Sequence, residues 1–348
     1  MPRKFTLVLC GAALACALML LLYHSSADGE KSVIVYSSVD AEFALPLFEL
    51  FTKETGIAVV PRLDGEETKT TGLAQRLEQM KGHPDGDVFW NSESSFTQLL
   101  ASRGVLEPYV SPQAQEIPAE YKDAAGLWAG FGCRARVVIF NTNQVKPADA
   151  PRTLEDFADP KWKGRCAVAK PLYGTTRSHF TAIFLQLGEA RALTLFRKWR
   201  ENGVIVAESN GDVRDRVADG TALVGITDSD DAYAALDRKK PVDFFVLDQA
   251  PPEWPGAFLI PNTVSMLKGC PHPKSARRFI DWLLRPETEN WLAENDSRQI
   301  PVRAGSVKLP PALARMNLKP AAYDAKKCAE NVLPLGERIY RILSGEER

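Results

Sequence analysis

Three carboxylates and two hydroxyls fall in five consecutive residues, Thr227-Asp228-Ser229-Asp230-Asp231, directly after the apolar run 222–226. Carboxylates this close repel one another, and burying them uncompensated is costly. The run therefore calls for a cation, an amine, basic neighbours or water. A blander reading makes Asp228, Asp230 and Asp231 a cap and first-turn acids of a helix, where the helix dipole favours negative charge. The sequence leaves both open. Similar polar groups recur after other apolar runs: Ser37-Ser38-Val39-Asp40, Asn91-Ser92-Glu93, Gly174-Thr175-Thr176-Arg177 and Ser209-Asn210. Ligands of open α/β sheets sit beyond the carboxyl ends of strands, so this repetition points to a ligand cleft. Each group also has a local reading: Asp40 as the cap of a helix starting near Ala41, Glu93 as a solvated acid. Arg134 and Arg136 alternate along one strand face; one of the two is expected at the surface, and Arg136 is the candidate for the site. His179 reads as a packing or surface residue, and Trp90 as either core or cleft wall.

The elements that must position these groups follow from hydrophobic periodicity. Strands are expected at 32–36, 57–60, 87–90, 136–140, 164–169, 204–206 and 222–226. Helices are expected at 42–54, 72–80, 179–187, 193–199 and 212–218, and late in the chain at 274–284, 286–294 and 335–343. The stretch 256–267 carries two apolar runs broken at Pro261-Asn262, and 308–322 is punctuated by proline. Strand-helix alternation argues for open α/β sheets, and two such units suggest two lobes with a cleft.

The chain has 348 residues, a formal net charge of -1 and 25% charged residues, ordinary globular composition that speaks against a nucleic-acid partner. Its N-terminus differs. Arg3-Lys4 precede an uncharged apolar run over 5–23, followed by Ser25-Ser26-Ala27, the layout of a secretory signal. The run is also long enough for a retained anchor, and Ala13-Leu14-Ala15-Cys16 loosely matches a lipoprotein box. All three readings export the chain from about residue 28, with 1–27 as signal or anchor. Cys133, Cys166, Cys270 and Cys328 lack CxxC spacing, which disfavours zinc; export permits disulfides, and three pairings are open. No G-x-S-x-G elbow and only four histidines occur, so an enzyme is not expected.

The stretches VIVYSSVDAEFALPLFELFTKETGIAV (33–59), GDVFWNSE (86–93), RARVVIFNT (134–142) and DFADPKWKGR (156–165) resemble bacterial extracellular solute-binding proteins of the ferric-ion-binding type, which serve ABC importers. The resemblance implies a two-lobed type II periplasmic-binding-protein fold, each lobe a mixed open sheet flanked by helices. Lobe one is expected over 31–136 plus 258–307, and lobe two over 137–257 plus 308–348. It implies a monomer that closes on its ligand and then meets a membrane permease, without catalysis or a resident cofactor beyond a bound metal ion. The family's histidine position falls on Asp40, its glutamate on Ser92 with Glu93 adjacent, and its adjacent tyrosines on Asp230 and Asp231. Asp40, Glu93, Asp230 and Asp231 are thus the candidate metal ligands. The family's anion turn falls on Gly174-Thr175-Thr176, with Arg136, Arg177 and Asn210 as added donors and Ser38 and Thr227 nearby. Carboxylates and hydroxyls suit hard cations or an ammonium group rather than the phenolate route to iron. Expected ligands are a metal ion with an anion or a phosphonate-like zwitterion; the alternatives are ferric iron held by carboxylates, or an anchored sensory ectodomain.

Overall fold

The computed structural model describes residues 30–64, 71–247, 256–303, 311–314, 316 and 318–347; the leader lies outside the described residues. Two half-sheets share one strand, β5 (Ala129–Asn141), whose thirteen residues are all buried. In the first half, β1 (Ser32–Ser37) lies parallel to β2 (Ala58–Leu63) and β3 (Val88–Asn91), connected through α1 (Ala41–Thr55) and α2 (Thr71–Gln79). α3 (Ser94–Ser102) leads to the short β4 (Leu106–Glu107), and β10 (Leu259–Leu267) runs antiparallel to β3, β4 and β5. The second half contains β6 (Cys166–Ala169), β7 (Ile205–Ala207) and β8 (Val224–Asp228) in parallel, with β9 (Val242–Val246) antiparallel to β5. Its helices are α4 (Gly174–Leu187), α5 (Glu189–Glu201), α6 (Asn210–Asp219) and α7 (Ser229–Asp237). α8 (Pro273–Leu283), α9 (Pro286–Glu294), the short α10 (Pro311–Ala314) and α11 (Ala325–Ser344) complete the chain.

The partner change in β5 positions the site. Ala129 to Ala135 pair with β10; from Arg136 onward the strand pairs with β8 and β9 instead. Arg136 is therefore the cross-strand partner of Asp228, the last residue of β8. The sequence pattern exposed only the second part of β5, because Gly130, Gly132 and Arg134 interrupt the apolar run of the first. β10 remains one strand across Pro261-Asn262, with a register shift at that step. Proline offers no ladder N–H, and a bulge absorbs the loss.

Packing explains the helices. α1 buries Ala44, Leu47, Phe48 and Phe51 at helical spacing and stops at Gly56, whose φ is 73°. Phe51 meets Phe279 edge-on at 5.0 Å and Trp282 at 5.5 Å, contacts worth about 0.5–1.5 kcal/mol each beyond area burial. α11 begins ten residues before the expected 335, because the Asp324 side chain caps it at the Lys327 N–H. It continues through Pro334, and the Arg177 guanidinium binds the Val332 and Leu333 carbonyls at that turn. Gly336 makes the approach possible: a Cβ there would lie 2.5 Å from Arg177 Nε. α11 packs on α3 as well as on α4 and α5, so it touches helices of both half-sheets. The four described cysteines are free thiols, three of them buried. Among the described residues no helix is long and apolar enough to cross a membrane.

Candidate functional site

Strands β6, β7 and β8 deliver their carboxyl ends to one cleft of about 620 Å³, and the first turns of α4, α6 and α7 surround it. The opposite wall comes from the turn after β1, including Asp40, and from Ser92 after β3. The lining holds eight Asp and Glu side chains against four Lys and Arg, so the cleft favours a positively charged occupant.

Asp228 sits at the bottom, 4% exposed. It precedes α7 yet makes no side-chain capping bond to it. Its Oδ1 accepts from Arg136 Nη1 at 2.7 Å, and its Oδ2 accepts from the Thr175 hydroxyl at 2.7 Å and Asn210 Nδ2 at 3.2 Å. Arg136 is fully buried and also reaches Asn210 Oδ1 at 3.0 Å and the Thr176 hydroxyl at 3.2 Å. The Thr176 hydroxyl donates to Asn210 Oδ1 at 3.0 Å. Burial opposes ionisation of Asp228, but the charges of Arg136 and Arg134 and the bonds from Arg136 and Thr175 outweigh it and hold the acid below its ordinary range.

Asp230, two residues on, differs. Burial pushes its pKa up to about 8, the charges of Asp231, Asp228 and Asp40 push the same way, and only Arg134 opposes them. Arg134 Nε lies 3.4 Å from Asp230 and 3.5 Å from Asp228. The Asp231 carboxylate accepts from the Thr227 hydroxyl at 3.0 Å and from Arg214 at 3.3 Å. One carboxylate oxygen each from Asp228, Asp230 and Asp231 lie within 4.8 Å of one another. A multivalent cation among them would neutralise the repulsion that burial amplifies.

The sequence-expected residues separate into two groups. Asp40, Ser92, Gly174, Thr175, Thr176, Asn210, Asp228, Asp230 and Asp231 line the cleft. Gly174 opens α4 at φ 51°, a backbone conformation that favours glycine. Ser38 lies outside the lining and ties strand ends together, donating to Asn91 Oδ1 at 2.6 Å. Thr227 also lies outside it, its single hydroxyl proton within reach of both the Asn210 carbonyl and the Asp231 carboxylate, each at 3.0 Å.

Glu93 corrects the expectation of a metal ligand. It is fully buried at the start of α3, with its oxygens accepting from the N–H groups of Ser95 at 2.7 Å and Phe96 at 2.8 Å and from the Ser178 hydroxyl at 2.7 Å. Burial raises its pKa against those bonds. Arg136 is a second correction: it is fully buried outside the cleft lining, its Nη groups bind Asp228, Asn210 and Thr176, and its Nε is buried without a partner. Arg177 is a third, bound to α11 and to the Leu172 carbonyl. Nor is either member of the Arg134–Arg136 pair at the surface, because the acids of β8 and α7 face both. Arg134 and Arg214 were missed as site residues; their signal was the surplus of acids, which demanded bases from elsewhere in the chain.

The family profile described as "Bacterial extracellular solute-binding protein" matches residues 86–326. The chain belongs to that family. A solute-binding protein of this kind is non-catalytic and works outside the cytoplasm. The chain is 24% identical over 321 residues to the "Fe(3+)-binding periplasmic protein" of Serratia marcescens, covering 90% of this chain and 91% of the relative. Among solved structures, the "Ferric binding protein from Campylobacter jejuni" superposes with a TM-score of 0.79 at 20% identity, over 89% of this chain and 99% of that one. AfuA from Actinobacillus pleuropneumoniae, solved with exogenous fructose-6-phosphate bound, gives 0.74 at 20% identity, over 90% and 97%. These likenesses establish the periplasmic-binding-protein fold of this solute-binding protein; the one structure is named for ferric ion and the other holds a sugar phosphate, so the shared fold does not fix the cargo.

Proposed function

We propose that this solute-binding protein captures a hard, oxygen-preferring metal cation in its cleft and delivers it to the membrane permease of an ABC importer. The observation that carries this reading is the meeting of three carboxylates within 4.8 Å in a cleft with a twofold excess of acids. Asp230 and Asp231 are the ligands from one wall and Asp40 the ligand from the other, while Asp228, the third acid of the cluster, has its oxygens bound by Arg136, Thr175 and Asn210 and adds its charge from behind. All are oxygen donors, the set that hard cations take. Ferric iron comes first among such cations, because the Serratia and Campylobacter proteins are named for it. Here carboxylates replace the phenolates of a tyrosine pair.

Capture works by hinge closure. One lobe comprises residues 31–136 and 258–307, the other 137–257 and 308–348, and the change of partners between Ala135 and Arg136 supports a hinge there. A cation bound by both walls stabilises the closed state by its differential affinity.

Metal-free protein offered ferric citrate, then divalent cations, should retain one equivalent of a hard cation. The ferric complex should lack the visible phenolate-to-iron band. A purple complex, or failure to retain any such cation, would overturn the proposal.

A further inference from the structure

The donors at the bottom of the cleft form a cradle suited to an oxyanion. The Thr175 hydroxyl, the Asn210 amide and the fully buried Arg136 guanidinium converge from α4, α6 and β5, next to the N-terminus of the 14-residue α4. In this chain they converge on a carboxylate of the chain itself. We infer that Asp228 is a specificity-determining residue: it occupies the oxyanion cradle, so the cleft takes its cation without a co-bound phosphate or similar anion. The inference rests on the cation reading only for what the cleft does bind; what it rejects follows from Asp228 alone.

The geometry supports this at each donor. Both oxygens of Asp228 accept short bonds, from Arg136 at one and Thr175 at the other, both at 2.7 Å. Asn210 offers its amide to Asp228 and its carbonyl oxygen to Arg136 and Thr176, so the amide orientation is fixed by its partners. An incoming phosphate would have to displace those bonds and meet the Asp228 charge with little water to screen it. Asparagine at this position would keep the shape, leave Arg136 an acceptor, and replace a repelling charge with an N–H donor. A phosphonate-like zwitterion seated in the same cradle would meet the same obstacle.

The test uses inorganic phosphate and sulfate titrated calorimetrically into metal-free protein, so its outcome is independent of whether a cation binds. Wild-type protein should give no saturable heat up to ~10 mM anion, whereas Asp228→Asn should bind phosphate about 100-fold more tightly than that limit. Wild-type binding well below ~1 mM would overturn the inference, and so would a folded Asp228→Asn protein as blind to anions as wild type. Should Asp228→Asn fail to fold, Asp228→Ser serves the same purpose, and the wild-type titration stands by itself.

Discussion

Two of the strand-to-helix turns of this molecule, those after β3 and β8, carry acids and use them differently. After β3, Glu93 turns both oxygens onto its own helix and a neighbour: the amides of Ser95 and Phe96 and the hydroxyl of Ser178. After β8, Asp228 gives nothing to its own helix and binds β5, α4 and α6, while Asp230 keeps a raised pKa two residues later. An acid whose oxygens meet helix amides is part of the fold. An acid buried against other acids is unfavourable until a cation arrives, and the cleft opens on that second turn.

The contrast can be broken at either turn. The largest effect on stability belongs to Glu93→Ala, which removes a cap and leaves the Ser178 hydroxyl unpaired. It should cost about 2–4 kcal/mol in chemical denaturation, with cation affinity of the folded protein unchanged. A loss of affinity matching a metal ligand would return Glu93 to the site.

The smaller effect is at Asp230, and it has a sign. Its folded-state pKa of about 8 lies above its unfolded value, so the folded protein holds the proton more tightly. The stability this confers is complete below the ordinary carboxylate pKa and is lost as pH rises towards about 8. Thermal unfolding of the metal-free protein should therefore fall over that window, and Asp230→Asn should flatten the fall and add at least roughly 1 kcal/mol near neutral pH. Cation affinity should move oppositely, rising about tenfold per pH unit up to the same point, because the metal must displace one proton. A pH-independent affinity would contradict that role for Asp230.

Much of this was legible in the sequence. Strand and helix alternation gave the α/β architecture, and the recurrence of polar residues after strands gave most of the cleft lining. The failures share a cause: a sequence lists donors and acceptors but not their partners. Glu93 and Asp230 each follow a strand closely, and only the third dimension tells which one finds amides. Arg134 was hidden because its counter-charges lie some ninety residues away, across a strand pairing that begins two residues later. The first part of β5 was hidden because burial in a shared strand tolerates glycine and arginine that a periodicity count discards.

In the proposed function the acids at the start of α7 hold a cation. Calorimetric titration of metal-free wild-type protein and of the Asp230→Asn, Asp231→Asn double variant, with ferric citrate in phosphate-free buffer, tests it most directly. Wild type should bind one equivalent, and the folded double variant should lose about 1,000-fold in affinity, near 4 kcal/mol. Equal affinities in the two proteins would contradict it.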